Sequence, residues 1–145
     1  MCCVEVIKDN IIAVQTESAN NKMAIDKAID TYLDMILYLQ EDIRSLNKSI
    51  AELHELLNSY FSQLTKEDYN QIINIYKKLV ANLVQLYSTY KKSNFYSGIK
   101  TDLKEFRNRI YDLQEIGNDM KVFVVDLPQN KDYRNLMDIF HHSNS

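Results

Sequence analysis

From Ile25 the chain carries an apolar seam, Ile25, Ile29, Tyr32, Ile36, Leu39, Ile43, Leu46, Ile50, Leu53, Leu57, Tyr60 and Leu64, whose steps alternate four and three without a slip. Such a heptad period keeps one narrow stripe of an α-helix turned toward a partner helix and favours slight left-handed supercoiling. The spacing predicts one long helix over residues 20–64. At the α-helical rise the seam alone would extend roughly 60 Å. Gly (2) and Pro (1) are scarce in the 145 residues, which removes the usual residues of tight turns and leaves few, short connections between helices. The fold class is therefore all-α.

Other segments follow the same rule. Val4, Ile7, Ile11 and Val14 are spaced as in an amphipathic helix, so residues 1–15 form an N-terminal amphipathic segment, with a strand left open by its Val and Ile content. Extending the seam backwards from Ile25 meets Asn21 and Ser18 before Val14. Either one helix runs on through a polar notch, or Thr16 to Asn21 is a turn; the turn is the expectation, because these side chains compete for backbone hydrogen bonds. Thr65 followed by Asp68 has the form of an N-cap with an acid three residues later, which starts a second helix over 66–92. Its two apolar rows, one containing Tyr69, Ile72 and Tyr76 and the other Ile73, Val80 and Val84, ask for two neighbours. A third helix covers 98–122, with Gly117 on its seam; Val122 to Leu127 is expected to be extended, and a short C-terminal helix covers 130–141.

These lengths predict a single helical domain, an antiparallel three-helix bundle of coiled-coil type with one long N-terminal helix. Helix two would end level with Leu39. The leading end of the long helix, with Ile25, Ile29, Tyr32, Leu33, Met35 and Ile36, is then left without a partner, and a patch of that size usually marks an interface. Two compatible remedies are expected: the N-terminal segment folding back over it, and another protein or a second copy of this chain pairing with it.

The formal net charge of -3 gives no global field to collect nucleic acid or anionic lipid. Cys2 and Cys3, adjacent at the start, cannot make a disulfide framework. Glu5, Lys8 and Asp9 stand where a secretory leader needs an apolar run, and no apolar stretch is long enough to span a bilayer. A cytoplasmic protein without cofactor, metal or membrane contact is the expectation. One tip concentrates Tyr90, Lys91, Lys92, Tyr96, Lys100 and Lys104, the composition of a patch for an acidic peptide or single-stranded nucleic acid. Asp26, Asp30 and Asp34 recur at a comparable level and could meet that patch. His54 and Glu55 begin an HExxH pattern that Asn58 breaks.

Arg134-Asn135, followed after five residues by His141, resembles the active motif of the HEPN ribonucleases. That family is all-helical, usually dimeric, and cleaves RNA without a metal at a site composed from two subunits. The resemblance implies that Arg134 polarises the scissile phosphate, His141 does acid/base work and Asn135 orients them. Against this enzyme alternative, the periodic pattern implies a non-enzymatic scaffold or adaptor working through helix-to-helix recognition.

Overall fold

The computed structural model describes residues 3–28 and 33–123. Among them every regular element is helical: α1 (Cys3–Lys27), α2 (Leu33–Tyr60), α3 (Lys66–Lys92) and α4 (Tyr96–Phe123), with a single 3₁₀ turn at Phe61–Gln63. The four helices pack around one core as pairs α1 with α2, α2 with α4, α4 with α3 and α3 with α1. Hence α2 and α3 stand diagonally although only a short connection joins them. The Glu17 carboxylate meets Ser49 while Asn21 meets Asp42, so α1 and α2 are antiparallel. The pairs Gln40 with Gly98 and Arg44 with Asp102 make α2 and α4 parallel.

Four expectations are corrected here. The rod over 20–64 does not exist as one helix: α1 ends at Lys27, where Ala28 N–H closes a tight last turn on Ile25 O, and α2 begins at Leu33. Conversely, no turn separates Thr16 from Asn21. The polar pair lies on the buried face of α1, where Asn21 Nδ2 donates to Asp42 O at 3.1 Å. A satisfied donor removes most of the cost of burying an amide. The bundle consequently has four helices rather than three, because α1 and α4 occupy the two flanks between α2 and α3. Finally, α4 continues through Phe123, so the start of the stretch expected to be extended is helical, while residues 124–127 lie outside the described residues. The expected helix over 130–141 lies outside the described residues.

Heptad burial holds across the break. The buried residues of α1 are Val4, Ile7, Ile11, Val14, Ser18, Asn21 and Ile25, and those of α2 resume at Leu39 and continue through Ile43, Leu46, Ile50, Leu53 and Leu57. Each such Leu or Ile side chain contributes about 2 kcal/mol of apolar burial. The two rows of α3 serve its two neighbours α1 and α4. Tyr76 crosses to α4, its hydroxyl donating to Leu113 O at 2.5 Å. Thr65 and Asp68 form a reciprocal capping box at the start of α3. These contacts lie toward the end at which α3 starts; the opposite end of the bundle is where α3 stops and α4 starts.

Candidate binding groove

At that end, Lys91 and Lys92 fall in the last turn of α3, where cations meet the negative end of the helix dipole. The connection is tight: Ser93 Oγ donates to Tyr90 O and accepts from Phe95 N–H, and Phe95 is buried beneath it. Because the turn is short, α4 leaves beside α3, and outward positions of the two helices flank one depression. Its lining is Tyr87 and Lys91 from α3 with Tyr96, Lys100, Leu103, Lys104 and Arg107 from α4, around about 200 Å³. Among the described residues, four cations and no acid line it.

On α4 the spacing 96, 100, 103, 104, 107 is one face of a helix. Lys100 and Lys104 are exposed and make no ion pair with any described residue. The Arg107 Nε is buried without a hydrogen-bond partner among the described residues. On the other wall, Lys91 Nζ lies 6.0 Å from the centroid of the Tyr87 ring, at cation–π range. Phe106 packs that ring from the core side at 6.2 Å between centroids. Burial raises the pKa of the Tyr87 phenol, outweighing the lowering effect of the Arg107 guanidinium, so the phenol stays neutral and able to donate.

Of the residues expected at this tip, Lys91, Tyr96, Lys100 and Lys104 come together in the groove. Tyr90 does not. It is fully buried, its ring edge-on to Phe106 at 6.3 Å and its hydroxyl near Asn21 and Asp42 without a well-formed hydrogen bond. Desolvation foremost, and then Asp42, push its pKa far above the usual phenol value. Lys92 is exposed outside the groove lining. Arg107 was missed, although it extends the spacing of Lys100 and Lys104 by one more turn.

The expected apolar interface fares differently. Ile25 is buried in the core, and Met35 and Ile36 pack partly buried against it. Ile29, Tyr32 and the side chain of Leu33 lie outside the described residues. Among the described residues of that end, α1 folds along α2 and covers one of its flanks. What remains exposed on α2 is a different face, with Leu37 at 51% and Tyr38 at 64%. Asp34, Leu37, Tyr38 and Glu41 line a shallow depression there of about 230 Å³.

Arg134, Asn135 and His141 lie outside the described residues. His54 is half-buried on α2 with its Nδ1 3.4 Å from Asn58 Nδ2. Among the described residues, no group of three or more His, Cys, Asp or Glu is placed to hold a metal ion, and no helix is long and apolar enough to cross a membrane. Comparison with protein-family models, with curated proteins and with solved structures finds no match.

Proposed function

We propose that the protein is a non-enzymatic helical scaffold or adaptor that binds an acidic protein segment in the α3–α4 groove. The observation that carries this reading is the lining itself: Lys91, Lys100, Lys104 and Arg107 converge on one depression with no carboxylate among them. Cations of one sign gathered from two helices raise the local concentration of an anionic partner and give a binding rate that falls with salt. Leu103 and Tyr96 supply apolar floor for side chains between the acids.

An acidic protein segment suits the groove better than single-stranded nucleic acid. Nucleic-acid channels offer open aromatic faces to successive bases. Tyr87 is only 4% exposed, its ring already flanked by Phe106 and Lys91, so it has no free face to stack on. The test uses a fluorescein-labelled peptide of Glu and Asp interrupted by Leu and Tyr, with an oligo(dT) of similar length beside it. Anisotropy titration is expected to show peptide binding that the double variant K100E/K104E loses at least about tenfold, a plausible effect for two reversed charges. Binding of the oligo(dT) in preference to the peptide, or peptide binding unchanged in the variant, contradicts the proposal.

A further inference from the structure

We propose that the occupant of the groove is the exposed face of α2 from a second copy of this chain, paired reciprocally in a twofold dimer; this rests on the reading of the groove given above. On α2, Asp34, Leu37, Tyr38 and Glu41 are spaced i, i+3, i+4 and i+7, the anchor pattern of a helix that lies in a groove. Two acids frame two of the large hydrophobic side chains most exposed to solvent. The groove presents the complement, cations at Lys100, Lys104 and Arg107 around Tyr96 and Leu103.

Both surfaces belong to one end of the bundle. Gln40 Nε2 donates to Gly98 O at 2.7 Å, and Ile36 lies against Gly98, so the start of α2 is level with the start of α4. Yet the two do not meet within one molecule. No α2 residue lines the groove, and no α3 or α4 residue lines the depression beside Tyr38. Two complementary surfaces at one end, neither covered by another of the described residues, are satisfied together by a twofold axis that seats each α2 face in the other copy's groove. An isologous contact of this kind closes on itself and forms no fibre.

Mass measured by sedimentation against protein concentration tests the pairing, using wild type, D34K/E41K, K100E/K104E and an equimolar mixture of the two variants. All four substituted side chains are exposed, so the helices themselves are retained, which circular dichroism checks. Wild type is expected to dimerise with an affinity that weakens at least about tenfold between low and high salt, because the contact is charge-assisted. Each variant alone is expected to be monomeric. The mixture is expected to regain the dimer, since a basic α2 face then meets an acidic groove and an acidic face meets a basic one. A wild type that stays monomeric at high micromolar concentration, or a dimer indifferent to all four substitutions, overturns the pairing. A monomer that still binds the labelled acidic peptide, with loss in K100E/K104E, sinks only the self-pairing and leaves the groove as the site for another protein.

Discussion

Gly98 lies so close to Ile36 that a methyl group built on it would stand 2.8 Å from the Ile36 Cγ2. This approach seats the first turns of α2 on α4 and sets the distance between the Leu37–Tyr38 face and the basic groove. Gly98→Ala would add about 1 kcal/mol of helix propensity, but the overpacking costs about 1–3 kcal/mol because a β-branched carbon cannot swing away. A net loss of stability is expected, read as a lower Tm. In G98A/I36A the loss should fall short of the sum of the single variants, since the two changes relieve each other.

Two buried tyrosines are expected to respond in opposite ways to loss of the hydroxyl. Tyr76 donates to Leu113 O inside the α3–α4 contact, so Tyr76→Phe should cost about 1 kcal/mol. The Tyr90 hydroxyl is buried without a well-formed partner, so Tyr90→Phe should leave stability unchanged or raise it. Urea unfolding of the two variants checks the contrast, and equal losses in both would count against the placement of Tyr90.

Asp42 gives a pH dependence. Desolvation, followed by repulsion from Glu41 and Glu17, raises its carboxyl pKa above the ordinary aspartate value. A raised folded-state pKa means that the folded protein holds this proton more tightly than the unfolded chain. The stability it contributes is full below the unfolded pKa and is lost as pH rises through the folded one. At neutral pH the charged form is therefore a burden, and Asp42→Asn should be more stable than wild type. That advantage should shrink steadily as the pH is lowered through the carboxylate range, which thermal melts at a series of pH values will show. A constant difference between the two proteins would contradict the cause assigned.

Much of the architecture was legible because the heptad register is a statement about burial. Extended backwards from Ile25, it names Asn21, Ser18, Val14, Ile11, Ile7 and Val4, the buried stripe of α1. The reversal between α1 and α2 was not legible for the same reason: two helices that fold onto one core keep a common register across the bend. Thr31 with Asp34 repeats in sequence the capping signal of Thr65 with Asp68, and was the local sign of a new helix start. Asn21 was misread as turn chemistry, since its partner, Asp42 O, is distant in sequence. At the groove, tyrosine composition alone could not separate buried Tyr90 from half-buried Tyr96; the seam position of Tyr90 is what places it in the core.

The scaffold reading and the ribonuclease resemblance differ in a direct assay. Single-stranded RNA incubated with the full chain is expected to remain intact. Metal-independent cleavage that disappears in R134A/H141A would instead assign the chemistry to that motif.

Chemical-shift mapping of the acidic peptide onto the isotopically labelled protein most directly tests the central claim, that the α3–α4 groove is the recognition surface. The expected result is a saturable set of shifts confined to residues of the groove and its rim, Lys91, Tyr96, Lys100, Lys104 and Arg107 among them. The set should vanish in K100E/K104E. Shifts centred on another face, or none at all at saturating peptide, would contradict the account.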